Sequence, residues 1–387
     1  MKNVYLIDSA RTPVGSFMGS LSTLSATDLG GIAISGLLEK SKVDAQKIEK
    51  VFMGQVVQAG SGQAPAKQAA LKGGLKDSVP CVTVNKVCGS GLETVMMAAQ
   101  AIKAGDNELC LAGGMENMSQ TPHLIMNSRN GHKFGELNTK DSMQWDGLWD
   151  SFNDQAMGVC AERCVDKYEF TREELDELSI ESFKRSQAAQ EDGIFTSEIV
   201  PVEIKGRKGS VTISEDEGPK KAKFDKIPTL RPAFEKTGKI TAANSSTIND
   251  GAAAILVGGE EYKDLAEFKI VAYHSHSQEP LWFSTAPVES AKKCLEKAGM
   301  DLNQIDLFEV NEAFAAVALA YIKELELDTS RVNVYGSGIS LGHPIGMSGT
   351  RILMSLMTGL KKQNKKFGMA SICIGGGEAI SMIIERL

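Results

Sequence analysis

Short apolar runs alternate with helical patterns along most of this chain. One β-branched run, Val82–Val84, is followed by a turn that Gly89 and Gly91 enclose. Beyond the turn, apolar residues recur at helical spacing: Leu92, Val95, Met96, Ala99 and Ile102. This pattern predicts a strand, a tight turn and an amphipathic helix. Strands that alternate with helices in this way predict an α/β fold with mostly parallel sheets covered by helices.

The same order of elements returns 257 residues later in the chain. The segment LLEKSKVDAQKIEKVF aligns with CLEKAGMDLNQIDLFE, Gly89 with Gly346, and Lys86 with His343. In both copies the glycine-rich turn precedes a helix and then a strand that ends in glycines, ELCLAGGMEN and MASICIGGGEA. A shared order of elements at a fixed offset predicts a duplicated fold with two similar halves.

Residues 119–248 break this repeat. They contain a polar stretch, SRNGHKFGELNTKDS, an acidic amphipathic helix near Thr171–Asp192 and the lysine-rich segment GPKKAKFDK. Such a segment between two copies indicates an insertion rather than a third copy. We therefore divide the chain into an N-terminal half, an inserted loop domain and a C-terminal half: 1–118 completed by about 249–270, 119–248, and 271–387.

Composition narrows the class of protein. The 387 residues are 42% hydrophobic and 24% charged, which is ordinary for a globular enzyme. A net charge of -7 without a long basic run argues against a nucleic-acid partner. No apolar stretch is long enough for a membrane span, and the N-terminus lacks a signal-peptide pattern, so we predict a cytoplasmic protein with no membrane partner. The seven cysteines show no paired spacing, which is typical of reduced thiols.

Cys88 lies directly before the predicted helix. At a helix N-terminus, unpaired N–H groups and the helix dipole favour an anion, so we expect the pKa of this thiol to fall below its free value of about 8.5. A thiolate would be a nucleophile at neutral pH. Cysteine is also among the most buried residue types, so the pattern alone leaves a structural role for Cys88 open.

Two other pairs have spacings that also occur among metal ligands. His274 and His276 would share one face of a strand, and Cys160 and Cys164 are four residues apart on a predicted helix. Neither pair is accompanied by the further ligands that a metal site needs, so we predict no metal and no redox cofactor. The glycines after Cys373 lack the Lys-Ser/Thr of a phosphate-binding loop.

Seven ordered blocks of sequence carry a resemblance to a known family. They are NKVCGSG (Asn85–Gly91), AGGMENMS (Ala112–Ser119), LRPAF (Leu230–Phe234), SSTINDGAA (Ser245–Ala253), NEAFA (Asn311–Ala315), GHPIGMSG (Gly342–Gly349) and CIGGGEA (Cys373–Ala379). In order and spacing these blocks resemble the signatures of the thiolase family. The resemblance implies a duplicated, five-layered αβαβα fold with an inserted loop domain that covers coenzyme A. It also implies a homo-oligomer, either a dimer or a tetramer.

The resemblance implies a reaction as well. Two acetyl-CoA molecules would condense reversibly to acetoacetyl-CoA and CoA, or a 3-ketoacyl-CoA would undergo thiolysis. Coenzyme A thioesters would then be small-molecule substrates, with no separate cofactor. Two alternatives stay open, a decarboxylating ketoacyl synthase and a catalytically idle protein that binds lipid or coenzyme A.

The family blocks imply roles for five residues. Cys88 would accept the acyl group, and His343 would activate this thiol and later help to hold the enolate oxygen. Cys373 would remove and return the α-proton. Asn311 would hold a water beside the histidine, and the N–H groups of Cys88 and Gly375 would form an oxyanion site. From the residues alone, a buried hydrogen-bonded His343 and a buried strand Cys373 are the competing interpretations.

Further residues are implied to bind coenzyme A. They are Ser246, Met157, Phe234, Phe314, and Lys220 or Lys221 in place of the arginine that the family normally has near this point. Core packing is the alternative for the aromatic residues. Ala156 and Met347 depart from the family pattern and are expected to affect the acyl pocket. For Glu312, an orienting role and a structural role both stay open.

Overall fold

The computed structural model describes residues 2–206 and 209–387. Its α-helices are α1 Ala26–Lys40, α2 Pro65–Lys72, α3 Ser90–Ala104, α4 Ser142–Gly147, α5 Met157–Tyr168, α6 Arg172–Glu191, α7 Ala286–Ala298, α8 Ala315–Glu324, α9 Gly338–Leu341 and α10 Ser348–Lys362. Its strands are β1 Tyr5–Arg11, β2 Gly15–Ser16, β3 Lys50–Gly54, β4 Cys81–Val84, β5 Leu109–Asn117, β6 His123–Leu124, β7 Lys140–Asp141, β8 Trp149–Asp150, β9 Gln155–Ala156, β10 Val202–Gly206, β11 Gly209–Ile213, β12 Asn249–Gly258, β13 Phe268–Ser277, β14 Leu307–Val310, β15 Phe367–Ile374 and β16 Glu378–Arg386.

The main sheet is mixed, so the expectation of mostly parallel strands is wrong. Its order is β14-β15-β16-β13-β1-β12-β5-β3-β4, and β2 also pairs with β12. Pairing is parallel between β3 and β4, β3 and β5, and β14 and β15, and it is antiparallel between the remaining neighbours. The physical reason lies in the connections. The sequence from β15 to β16, for example, is a tight glycine turn, which joins antiparallel strands.

The two halves of this sheet repeat each other. In the first half the strand order is β4-β3-β5-β12-β1. In the second half it is β14-β15-β16-β13, and Val332, which forms a parallel bridge with Phe308 of β14, takes the place of β4. The halves meet where β1 pairs with β13, over Tyr5 with Lys269 and Leu6 with Phe268. An offset of 257 residues carries α3 onto α10 and β5 onto β15 to within about one residue. The predicted duplication is therefore confirmed.

Five layers result from this duplication. α1 and α2 cover the outer face of the first half-sheet, and α7 and α8 cover the outer face of the second. Helices α3 and α10 pack together between the half-sheets and supply much of one apolar core. Gly91 and Gly349 allow this contact, because a Cβ on Gly349 would lie 2.3 Å from the Leu92 nitrogen. The loops before the two helices are thereby brought side by side.

The segment between the repeats forms its own small elements and two longer helices. The acidic helix predicted near Thr171–Asp192 is confirmed as α6, which Thr171 and Glu174 begin with reciprocal capping hydrogen bonds. α5 holds Cys160 and Cys164, and both side chains are buried in the core beneath α8. Among the residues described, no helix combines the length and the apolar character needed to cross a membrane.

Candidate active site

A cavity of about 540 Å³ opens beside the start of α3. Its wall includes Cys88, His343 and Gly375, which come from three separate sequence blocks, and also Ser246 and Phe314. These residues meet because α3 and α10 begin side by side in the central layer. A mainly apolar cavity with a few convergent polar groups is typical of a small-molecule site.

Cys88 is half-buried in the turn that leads from β4 into α3. Val87 before it has a φ of 45°, which a β-branched residue rarely adopts. Burial raises the pKa of the Cys88 thiol to about 11, although the N–H groups of Gly375 and of Cys88 itself oppose the rise. The expected lowering of this pKa is therefore wrong, because loss of solvent outweighs the helix terminus. The thiol needs a base to become a nucleophile.

His343 is buried, and its hydrogen bonds assign its tautomer. The Ser348 hydroxyl donates to the carbonyl of Pro344 at 2.8 Å, and its oxygen lies 2.6 Å from His343 Nδ1. Since a hydroxyl has one proton, this oxygen must accept from Nδ1–H, which leaves the lone pair on Nε2. Burial, and then the charge of Arg351, lower the pKa of His343 to about 3. The ring is therefore neutral at neutral pH and able to accept a proton.

Asn311 follows β14 and is fully buried beside the histidine. Its Nδ2 lies 3.4 Å from His343 Nε2. Its Oδ1 accepts a hydrogen bond from Arg351 Nη2, also at 3.4 Å. The side chain of Asn311 thus connects the imidazole to a buried guanidinium.

Glu312, the next residue, makes its hydrogen bonds elsewhere. It accepts from the Ser182 hydroxyl at 2.7 Å, from Asn333 Nδ2 at 2.8 Å and from the Ile339 amide at 3.3 Å. These bonds join α6 and α9 to the loop after β14. Of the two roles left open for Glu312, this arrangement supports the structural one.

Cys373 lies one residue before the end of β15 and is fully buried. Burial, and then the nearby Cys88, raise the pKa of the Cys373 thiol well above its ordinary value. The two thiols therefore share one region, with Cys88 at the cavity wall and Cys373 in the packed interior next to it.

The N–H of Gly375 lies near the Cys88 sulfur and acts to lower the pKa of the thiol. A Cβ at this position would make only ordinary contacts, 3.5 Å from Val87 and 3.7 Å from Met157. The protein itself therefore leaves room for a side chain at Gly375, in contrast to Gly377, whose Cβ would lie 2.4 Å from a carbonyl oxygen. Space at Gly375 is free for a bound molecule that approaches the thiol.

The residues proposed for the coenzyme line the same cavity. Phe234 and Phe314 are in edge-to-face contact at 6.0 Å, and Met157 begins α5. The Ser246 amide donates to the Ala313 carbonyl at 2.9 Å. Phe314 is nearly buried, whereas Phe234 is 38% exposed and so retains surface for a ligand.

The two lysines differ in position. Lys221 lines the cavity, and its Nζ lies 3.2 Å from Glu217. Lys220 forms an exposed ion pair with Glu215 instead, away from the cavity wall. Of the two lysines expected at this point, position therefore favours Lys221 over Lys220.

The two departures from the family pattern lie outside the cavity wall. Met347 is fully buried and packs with Val14, Ala253 and Met354. Ala156 is the residue before α5 and precedes a cavity residue without lining the cavity itself. Met347 and Ala156 can therefore affect the shape of the cavity only through the residues next to them.

Glu116 is a site residue that the sequence analysis did not single out. It is fully buried near the end of β5 and accepts from the amides of Val56 at 2.9 Å, Val57 at 3.3 Å and Gly346 at 3.0 Å. It thereby ties the GHPIG loop to the loop after β3. Burial raises its pKa to about 7, against the three amide donors. The repeat contained a signal, because Glu116 and Cys373 are 257 residues apart.

Within residues 2–206 and 209–387, no three side chains of His, Cys, Asp or Glu converge as metal ligands would. His274 and His276 lie on β13, where His276 Nε2 is 3.1 Å from Gln278 Oε1. The absence of a metal and of a redox cofactor stays a prediction.

Comparison with known proteins identifies the family. Residues 4–261 match the thiolase N-terminal domain, and residues 263–386 match the thiolase C-terminal domain. Acetyl-CoA acetyltransferase 2 of Arabidopsis thaliana is 48% identical, over 100% of this chain and 98% of its own. Acetyl-CoA acetyltransferase of Cupriavidus necator is 45% identical, over 100% of both chains.

A solved structure supports the same conclusion. The crystal structure of the Bacillus anthracis acetyl-CoA acetyltransferase has a TM-score of 0.97 to this chain, with 37% identity. It covers 100% of this chain and 99% of its own. The resemblance seen in the sequence is confirmed, and the chain belongs to the thiolase family of acyltransferase enzymes.

Proposed function

We propose that this enzyme is an acetyl-CoA C-acetyltransferase, which condenses two acetyl-CoA molecules to acetoacetyl-CoA and CoA through an acetyl-Cys88 intermediate. The observation that carries the proposal is the cavity in which Cys88 and the neutral ring of His343 meet. The names of the full-length relatives support acetyl-CoA as the substrate.

In the first half-reaction, Cys88 attacks the thioester carbonyl carbon of acetyl-CoA. Its proton passes to His343 Nε2, the nitrogen that the Ser348 hydrogen bond leaves unprotonated. The oxyanion of the tetrahedral intermediate accepts from the N–H groups of Cys88 and Gly375, which both favour negative charge at this position. The C–S bond to the coenzyme then breaks, and CoA leaves with the proton from His343.

In the second half-reaction, the Cys373 thiol first passes its proton to His343 Nε2 and then, as a thiolate, takes an α-proton from another acetyl-CoA. The raised pKa of this buried thiol makes its thiolate a strong base. The N–H now on His343 Nε2 and the Nδ2 amide of Asn311 donate to the enolate oxygen. The enolate carbon attacks the acetyl group, the bond to Cys88 breaks, and the Cys88 sulfur receives the proton from His343 Nε2, while Cys373 keeps the α-proton.

The coenzyme lies, in this proposal, along Met157, Ser246, Phe234 and Phe314, with the inserted segment covering it. Lys221 lines this cavity, and in this proposal it meets the phosphates of the ADP moiety. A lysine provides a point charge without the paired donors of arginine. Lys221→Ala should therefore raise KM for acetyl-CoA more than the matched Lys220→Ala, and acetyl-dephospho-CoA should reduce the difference if the 3′-phosphate is the group bound.

A homo-oligomer, dimer or tetramer, is also proposed. Strand β4 is the last strand of the main sheet, and large apolar side chains such as Phe134, 98% exposed, project from the inserted segment. An open sheet edge and exposed apolar groups both favour self-association. Light scattering coupled to gel filtration reads the mass directly, and a 41.5 kDa particle at micromolar concentration would contradict the proposal. The cytoplasmic location and a role in fatty-acid metabolism stay predictions.

The direct test follows the ultraviolet signal of the acetoacetyl-CoA enolate after free CoA is added. Loss of the signal is expected, with acetoacetyl-CoA cleaved faster than 3-ketohexanoyl-CoA or 3-ketooctanoyl-CoA. Absence of turnover would support the idle binding protein, and release of CO₂ from malonyl thioesters would support a decarboxylating synthase. Faster cleavage of the longer substrates would contradict the acetyl preference.

A further inference from the structure

Among the residues that the structure describes, two arginines, Arg11 and Arg351, are almost completely buried, and their surroundings differ. Arg11 is paired on all sides, with Glu198 at 2.8 Å, Asp216 at 2.8 and 3.0 Å and the Thr12 carbonyl at 3.2 Å. Arg351 has no exposed surface either, yet its nearest carboxylate, that of Glu309, is 3.9 Å away. In the part of the chain that the structure describes, Nε and Nη1 of Arg351 have no hydrogen-bond partner.

Burial of a guanidinium without close counter-charges is costly. Ion pairing explains the position of Arg11, and it does not explain that of Arg351. Among the described residues, the one hydrogen bond that the guanidinium of Arg351 makes is to Asn311 Oδ1, at 3.4 Å. On its other side, Asn311 contacts the imidazole of His343.

Four hydrogen bonds run in one direction from Arg351 through the site. Arg351 donates to Asn311 Oδ1, and Asn311 Nδ2 is placed to donate to His343 Nε2 at 3.4 Å. His343 Nδ1 donates to the Ser348 hydroxyl at 2.6 Å, which donates to the carbonyl of Pro344 at 2.8 Å. A guanidinium can only donate and a carbonyl can only accept, so both ends of this chain are fixed.

We propose that Arg351 is a positioning residue for the reaction: it orients the amide of Asn311 and thereby holds His343 with its unprotonated Nε2 toward the site. The two orientations of an Asn amide have the same shape, so packing alone does not select one. The guanidinium of Arg351, which can only donate, selects the orientation in which Asn311 Oδ1 faces it. Without Arg351 the amide is free to turn, present its oxygen to His343 Nε2 and stabilise a proton there, which would block a base.

The inference rests on the proposed function for its kinetic consequence. Replacement of Arg351 by methionine keeps the length of the side chain and removes every donor. The expected result is a fall in kcat of about 10- to 100-fold with KM for acetyl-CoA changed less than about 3-fold, since misorientation of a catalytic group affects the reaction step. Thr358→Val, on the same face of α10 but bonded to Glu198, serves as the control for disturbance of the helix and should retain activity.

A double-mutant cycle tests whether Arg351 acts through Asn311. In an Asn311→Ala background, Arg351→Met should cause less than about a 3-fold further loss, because the group that it orients is gone. If the two losses multiply, Arg351 does not act through Asn311 and the proposal is wrong.

The pH profile provides a readout that a merely structural role would not change. The ionisable groups around His343 are Cys88 in the shared cavity, Cys373 at the end of β15, Glu116 on the Gly346 amide, Glu312 after β14, and Arg351 on α10. Of these, the charge of Arg351 lowers the pKa of His343. The acid limb of kcat/KM should therefore move to higher pH in Arg351→Met. Arg351→Lys should restore the limb but not the full kcat, because lysine keeps the charge and loses the planar fork.

Nitrogen-15 NMR of the histidine rings decides the matter independently of turnover. His343 in the parent enzyme should show the neutral ring with the proton on Nδ1, and Arg351→Met should show proton density on Nε2. If the parent enzyme lacks acetyl transfer, the proposed function fails while the spectra still test the role of Arg351. An unchanged His343 tautomer and pKa in folded Arg351→Met would overturn the inference.

Discussion

The two halves of this protein place the same turn and helix beside the cavity, but they use them differently. Before α3, Ser90 Oγ accepts from the Lys86 amide at 2.8 Å and donates to the Val87 carbonyl at 2.7 Å. Before α10, Ser348 makes the equivalent pair of bonds to His343 Nδ1 and to the Pro344 carbonyl. One serine therefore fixes backbone and the other fixes a side chain.

This difference separates the chemical tasks. In the first copy, a strained turn carries the thiol of Cys88. In the second copy, the serine holds the imidazole of His343 in one tautomer. The strands that follow also differ, since Glu116 binds three amides in the first half where Cys373 lies in the second. The duplication thus gives two similar structural frameworks. The nucleophile lies in the first copy, and the acid–base groups lie in the second.

Removal of the nucleophile should have the largest effect. Cys88→Ala should abolish both acetyl-enzyme formation and turnover, because no other thiol lies at the cavity wall among the residues described. Intact mass spectrometry after incubation with acetyl-CoA measures the first, and the enolate assay measures the second. Cys81→Ala, a half-buried thiol on β4, is the control. Acetylation that persists in Cys88→Ala would place the nucleophile elsewhere.

The next effect compares the two copies at equivalent positions. His343→Ala should slow both half-reactions by about 10²–10⁴-fold, because a positioned base and an oxyanion donor are lost together. Lys86→Ala, 257 residues earlier, breaks only a partly exposed ion pair with Glu378 and should retain activity within about 3-fold. Stopped-flow acetylation and steady-state condensation measure the two steps. Equal losses in both variants would contradict the division of tasks.

A moderate effect is expected where the copies touch. Gly349→Ala would place a Cβ 2.3 Å from the Leu92 backbone, so α3 and α10 must separate, at a cost of about 1–3 kcal/mol in the free energy of unfolding. Gly359→Ala, later in α10, meets side-chain atoms rather than backbone, the nearest being Leu307 at 3.2 Å, and should be nearly neutral. Denaturant unfolding compares them. A fully stable and active Gly349→Ala would show that close contact of the two helices is not required.

The smallest effect concerns pH. Because burial raises the pKa of Cys88 to about 11, the reactive thiolate fraction should grow about tenfold per pH unit between pH 7 and 10. Iodoacetamide alkylation, mapped by peptide mass, measures this rate, and acetyl-CoA should protect the thiol. A rate that levels off near pH 7 would mean that the helix terminus, not burial, controls the thiol.

Local pattern and repeat predicted much of this arrangement. The helix after Gly89, the acidic helix α6 and the duplication all follow from spacing, since helical periodicity depends on near neighbours. The direction of strand pairing did not follow, because it depends on which connections contain a crossover helix. The glycine turn between β15 and β16 was a legible sign of an antiparallel pair.

Properties set by burial were beyond the sequence. A helix terminus lowers the pKa of a thiol, but desolvation of Cys88 depends on loops from three distant blocks. In the sequence, Arg351 suggests a polar, solvent-facing side of a helix. The structure shows that this side is buried, because the two half-sheets stack around α10. The sequence did contain a signal for Glu116, because the 257-residue offset of the repeat aligns it with Cys373.

The division of tasks is tested most directly in Cys373→Ala. Two measurements are made on the same protein, the mass of one acetyl group added by acetyl-CoA and the exchange of the acetyl-CoA methyl protons with deuterated water. Acetylation of Cys88 should persist, while exchange and condensation should fall by at least about 10²-fold, because the thiol that carries the α-proton is absent. If Cys373→Ala exchanges these protons as fast as the parent enzyme, the proton carrier lies elsewhere and the two-cysteine mechanism is wrong.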